Sequence, residues 1–110
     1  MTAGLFATVA ALALAHPAPA CRPFVDSATW NAGRLSVAPS ACGRRVAERR
    51  PRRAFRAAIA AGAQGAPNRR SLYRQFRCHV VFAPAKPRWN LETWRPYVSW
   101  PQMIVTGCNP

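Results

Sequence analysis

The stretch Cys78–Cys108, CHVVFAPAKPRWNLETWRPYVSWPQMIVTGC, places three of the chain's four tryptophans and four of its eleven prolines between two cysteines. So much aromatic area and so few free backbone dihedrals read as a fixed core or surface clamped by a disulfide, not as a spacer. Immediately before and into this stretch, FRCHVVFA alternates Phe76, Cys78, Val80 and Phe82 against Arg77, His79 and Val81, which predicts a strand with one buried face. Ser71 is placed to cap a short helical turn ahead of it. The following PAKPRWNLETWRP is punctuated by proline too often for a long element and predicts an ordered loop folded over the sheet. Ser99 and Pro101 predict the start of a short helix through Thr106, stopped by Gly107.

Upstream, Phe24–Trp30 and Arg34–Ala38 flank Asn31-Ala32-Gly33, and Leu35 and Val37 alternate with Arg34 and Ser36, the pattern of a half-buried β-hairpin. Pro51 in a first turn and Gly62 as a stop predict a helix over 51–61, with Phe55, Ile59, Ala54 and Ala58 on its buried face. Residues 63–70 read as a loop. No internal repeat is visible. The sum is a small single-domain α+β fold: N-terminal hairpin, central helix, strand, Trp/Pro-rich loop and short C-terminal helix.

At the N-terminus, Leu5–Ala15 is an apolar run interrupted only by Thr8 and followed by Ala18-Pro19-Ala20. It is shorter than the roughly 20 residues of a membrane span, so 1–20 reads as a secretory signal and 21–110 as the mature domain. No Lys or Arg precedes the run, which points to a start site further upstream. Cleavage after Ala20 makes Cys21 the first mature residue. A lipidated cysteine normally follows Leu by three residues, whereas here Ala18 stands there, and lipidation would strand one thiol. The even set Cys21, Cys42, Cys78 and Cys108 instead reads as two disulfides in an oxidising compartment. Pairing Cys21 with Cys42 and Cys78 with Cys108 keeps both loops local, and two other connectivities stay open. The cysteine spacings of 21, 36 and 30 residues contain no CxxC pair. With one mature histidine and three acids, neither a metal site nor a cofactor is implied.

The formal charge of +13 comes from 15 Arg and one Lys against three acids, and residues 44–77 alone carry eleven Arg and one Glu. A chain this basic adheres to polyanions: anionic envelope polymers, lipid head groups, or nucleic acid non-specifically. On a continuous helix, Arg45, Arg49, Arg52, Arg53 and Arg56 form one stripe, a continuity that Pro51 puts in question. The alternative use of these arginines is a merely solubilising face.

Several longer motifs run through the mature chain. They are Pro23-Phe24-Val25-Asp26 with Trp30, Gln75-Phe76-Arg77-Cys78-His79, Lys86 with Trp89–Glu92 and Trp94–Pro96, and the closing Cys108-Asn109-Pro110. In these the chain resembles a family of secreted actinobacterial proteins, mycobacterial ones among them, known as domain of unknown function 2599. The resemblance implies secretion and a Cys78–Cys108 bridge, and it carries no activity to any residue. The Arg-rich segment 44–56 and the Cys21 and Cys42 pair lie outside the shared pattern.

Three groups of residues compete for a function. His79, oriented by Glu92 or Asp26, is a candidate general base, with Ser71 or Ser99 as the available nucleophiles. On the polar face of a strand, His79 more commonly forms surface hydrogen bonds, and its removal then costs little stability. Trp89, Trp94 and Trp100 offer either a sugar-stacking platform, with Asn90, Glu92 and Arg95 beside it, or simply a core; a small domain with little other apolar bulk favours the core. The arginine stripe is the third. The reading adopted is a secreted, non-catalytic cationic domain that adheres to anionic envelope polymer or a membrane surface. The alternatives are a small hydrolase centred on His79 and a cationic toxin or antimicrobial factor.

Overall fold

The computed structural model describes residues 2–5 and 21–110, so the expected export signal, 1–20, lies almost wholly outside the described residues. Its elements are β1 (Val25–Asn31), β2 (Arg34–Pro39), α1 (Ala41–Arg49), α2 (Pro51–Gly62), α3 (Arg69–Phe82), β3 (Trp89–Glu92) and α4 (Trp100–Val105). The α+β class and the hairpin follow the sequence reading. The pair Asn31–Arg34 closes a two-residue turn in which Ala32 and Gly33 both have positive φ, 49° and 81°, as a tight antiparallel hairpin requires. A Cβ on Gly33 would also meet the Thr93 hydroxyl at 2.8 Å, so the turn is packed as well as bent.

β2 is the central strand of an antiparallel sheet of order β1-β2-β3. Pairing Leu35 with Leu91 and Val37 with Trp89 puts four buried side chains on one face. Against that face lie Phe55 and Ile59 of α2 and Leu72, Phe76 and Val80 of α3, completing the core.

Three sequence expectations are corrected. Residues 76–82 are not a strand but the second half of the 14-residue α3. Its buried set Leu72, Gln75, Phe76, His79 and Val80 recurs at helical spacing, and the alternation of Phe76, Cys78, Val80 and Phe82 is coincidental: Phe82 is 54% exposed. Ser71 lies inside α3 and does not cap it; Asn68 occupies that position, and the Ser71 hydroxyl donates to the Arg95 carbonyl at 2.7 Å. The segment expected as loop contains β3, a four-residue strand that fits between Pro87 and Pro96 because neither proline falls within it.

The arginine-rich segment is two helices. Ser40 caps α1, accepting from Gly43 N at 2.9 Å and donating to Phe24 O at 3.1 Å. Pro51, which cannot donate a backbone hydrogen bond, ends α1 and starts α2 across Arg50 (φ −136°, ψ 69°). The disulfides are Cys21–Cys42, joining the chain before β1 to α1, and Cys78–Cys108, joining α3 to the turn after α4. No helix among the described residues is long and apolar enough to cross a membrane.

Candidate functional site

His79 and Glu92 are buried, and both serve the fold. The His79 ring is 3% exposed, with Nδ1 2.7 Å from the Gln75 carbonyl one helical turn back. It lies on the core side of α3, not on a polar face. Burial pushes its pKa below the ordinary imidazole range, against the opposing hydrogen bond to Gln75. Glu92 accepts Arg34 Nε and Nη2 on one carboxylate oxygen, at 3.1 and 2.7 Å, and Arg95 Nε on the other at 2.7 Å. Burial alone would raise its pKa; the two guanidinium groups outweigh that and hold the carboxyl below the usual carboxylate range. No hydrogen bond among the described residues joins His79 to Glu92, Ser71 is committed to Arg95, and Ser99 caps α4. These residues therefore do not assemble a nucleophile, base and orienting carboxylate.

Gln75, which the sequence reading left without a role, is fully buried and staples α3 to β3. Its Nε2 donates to Glu92 O at 2.9 Å and to Ser71 Oγ at 3.0 Å, and its Oε1 accepts from Glu92 N at 2.8 Å. Arg95 reaches on from Glu92 to the Pro110 carbonyl at 3.1 Å. The QFRCH, WNLE and WRP motifs and the terminal proline thus form one structural network. No group of three or more His, Cys, Asp or Glu among the described residues could hold a metal ion.

His79→Ala is accordingly expected to lower stability by on the order of 2 kcal/mol, from the cavity and the lost hydrogen bond. In the unfolded chain the imidazole gains a proton as pH falls through about 6.5, whereas buried His79 resists until lower pH, so acidification favours unfolding. Melting temperatures of wild type and His79→Gln between about pH 7 and pH 5.5 check this: the fall seen in wild type should be largely absent in the variant. Glu92's contribution persists below that window and is lost only as pH drops under the ordinary carboxylate range.

The three tryptophans separate, forming neither one platform nor one core. Trp89 is 1% exposed and packs edge-on to Phe76, with ring centroids 5.5 Å apart. Trp94 is exposed over the hairpin turn under the Arg34 guanidinium, 5.7 Å away. Trp100, half-buried, lies between Phe82 at 6.2 Å and the Arg77 guanidinium at 5.0 Å.

The arginines converge where α2 and α3 lie side by side. A groove of about 450 Å³ is lined by Arg52 and Arg56 of α2, by Arg69, Arg70, Arg74 and Arg77 of α3, and by Phe55, Tyr73 and Tyr97. The helical period explains it: 52 and 56 are one turn apart, and 70, 74 and 77 follow at i, i+4 and i+7 on one face of α3. Tyrosines hold the charged heads in place. Arg52 stacks 4.9 Å from the Tyr73 ring, while Arg70 and Arg74 share Tyr97 at 4.2 and 4.4 Å. Arg74 is fixed further by donating to Val98 O at 2.7 Å. The ion pairs among the described residues are both made by Glu92, so none of the six groove guanidiniums pairs with a carboxylate.

The stripe expected from sequence is thereby divided. Arg52 and Arg56 enter the groove. Arg49 and Arg53 line a second hollow with Arg22, Arg50, Cys21 and Phe24, Arg53 also edges a shallow hollow with Arg52, Arg56 and Tyr73, and Arg45 projects from α1. Arg69, Arg70, Arg74 and Arg77 do not form one row on the loop, short helical turn and strand that the sequence predicts for their segment. The signal that could have found them is the spacing of arginines in RRSLYRQFR, which matches one helix face.

The profile of a family described as a protein of unknown function (DUF2599) matches residues 25–110. Uncharacterized proteins of Mycobacterium bovis (Mb0487) and Mycobacterium tuberculosis (MT0495 and Rv0477) are each 36% identical over 102 residues, spanning 84% of this chain and 69% of the relative. No solved structure matches the chain.

Proposed function

Since the chain belongs to the DUF2599 family, which brings no activity with it, we propose its function from the groove: a non-catalytic cationic domain that works outside the cytoplasm and adheres to anionic envelope polymers or lipid head groups. The observation that carries this reading is the convergence of six arginines, unpaired with carboxylates among the described residues, on one aromatic-floored groove. Guanidinium groups present forked donors suited to phosphate and carboxylate oxygens, and ring stacking reduces the entropy lost when they engage. Two disulfides support an oxidising destination, as does the signal-like pattern of residues 1–20. Nucleic acid fits only non-specifically, through charge.

A charge-matched comparison tests the site. Arg52, Arg56, Arg69 and Arg70 changed together to Gln should weaken binding of linear inorganic polyphosphate by roughly 30-fold or more, at about 0.5–1 kcal/mol per contact. Changing Arg22, Arg45, Arg49 and Arg88 to Gln removes the same charge from outside the groove and should cost only a few-fold. Wild-type affinity should fall on the order of 100-fold between about 50 and 200 mM salt, as expected for about five phosphate contacts. Equal losses in the two variants would reduce the groove to a share of the general charge.

A further inference from the structure

Beside the groove lies an apolar patch that the core does not use. Val81 and Phe82, at the end of α3, are each 54% exposed, and Ile104 and Val105 of α4 are 41% and 81% exposed. Single exposed aliphatics are ordinary on a protein surface; here Phe82 and Ile104 flank Trp100, whose ring is tilted against Phe82 with centroids 6.2 Å apart and which lies one helical turn before Ile104, while Val81 and Val105 adjoin Phe82 and Ile104 in the chain. The patch is held firmly, because Met103 on the inner side of α4 is buried against the Cys78–Cys108 bridge.

The patch also continues the cationic surface. Arg70, Arg74, Arg77 and Val81 follow at i, i+4, i+7 and i+11 along one face of α3, so the arginine row runs into the apolar one. Arg77 is the junction: it lines the groove and its guanidinium stacks on Trp100.

We propose that this face is a peripheral membrane-binding surface, in which Val81, Phe82, Ile104 and Val105 enter the outer acyl region of a phospholipid bilayer while the groove arginines take the phosphates of anionic head groups. The proposal rests on the anion-binding reading of the groove and names its ligand. Charge complementarity selects lipid over an apolar protein partner: the row of guanidiniums beside the patch suits a surface of closely spaced phosphates. Trp100 sits at the boundary between the two, the depth at which indole rings concentrate in membranes. An apolar face of this kind enters about 5–10 Å, to the head-group and acyl boundary, without spanning.

The test uses vesicles of 30% phosphatidylglycerol in phosphatidylcholine alongside soluble polyphosphate. Phe82, Ile104 and Val105, all exposed, are changed together to Ser. Vesicle binding should weaken roughly 30-fold or more, as their apolar area no longer leaves water, while polyphosphate binding stays unchanged. Wild type should retain vesicle binding at about 0.5 M salt, where exposed charges are screened within a few ångströms. Brominated acyl chains should quench its fluorescence, an effect lost in Trp100→Phe. If wild type binds polyphosphate but not vesicles, or if the triple variant binds vesicles as well as wild type, membrane insertion is overturned and the anion-binding groove stands. If wild type binds neither probe, both readings fall. Concentration-dependent dimerisation that the triple variant abolishes, without vesicle binding, would make the patch a contact between copies and overturn the lipid assignment.

Discussion

Trp89→Ala is expected to destabilise the protein by about 3–5 kcal/mol, the range for truncating a buried aromatic side chain. Trp89 joins three elements. It stands opposite Val37 in the sheet, packs edge-on to Phe76 of α3, and donates from Nε1 to the Ala83 carbonyl at 3.0 Å. The Arg44 guanidinium covers its outer side, 5.3 Å from the ring centroid. A domain of about 90 residues buries a modest fraction of its surface and sits near the low end of the usual stability range, so this loss removes most of its margin. Urea unfolding followed by far-UV circular dichroism should show the midpoint falling steeply. A loss under about 1 kcal/mol would place the core elsewhere.

Removing the Cys78–Cys108 bridge by Cys78→Ala with Cys108→Ala is expected to cost about 3–4 kcal/mol from the loop of roughly 30 residues that it closes. Loop entropy alone assigns nearly the same value to Cys21–Cys42, so burial decides between them. Cys78 is 0% and Cys108 5% exposed, and with Met103 they form the small second core that holds α4. Cys21 and Cys42 are half-buried beside exposed backbone. Losing the first bridge should also free α4, and amide exchange in 100–108 should rise by more than elsewhere. Losing the second should leave that segment protected. Comparing thermal melts and exchange in the two double variants checks both statements, and indistinguishable exchange would contradict the assignment of α4 to the bridge.

The parts of the fold legible in the sequence were those with local signals. Asn31-Ala32-Gly33 and the alternation around it marked the hairpin, Pro51 and Gly62 bounded α2, and Ser99 with Pro101 marked α4. Where two periods fit the same residues, packing decides between them: Phe76 to Phe82 alternates as a strand does, but the helical set beginning at Leu72 governs, because Gln75 and His79 can be buried with their polar atoms satisfied. β3 was hidden by its length of four residues and its bracketing prolines, and becomes a strand through its pairing with β2. The groove could not be read from either helix alone. Arg52 and Arg56 gain their meaning from Arg70, Arg74 and Arg77 across the α2–α3 contact, and that contact is tertiary. His79 is an isolated titratable residue in the sequence, yet its environment is the core.

Anions are expected to bind between α2 and α3. Nuclear magnetic resonance of the arginine Nε–H groups and backbone amides during titration with short polyphosphate locates the binding directly. The shifts are expected at Arg52 and Arg56, along Arg69–Arg77, and at Tyr73 and Tyr97, the residues that line the groove or lie along its α3 wall. Shifts centred instead on Arg22, Arg45, Arg49 and Arg53, with the α3 arginines unmoved, would contradict it.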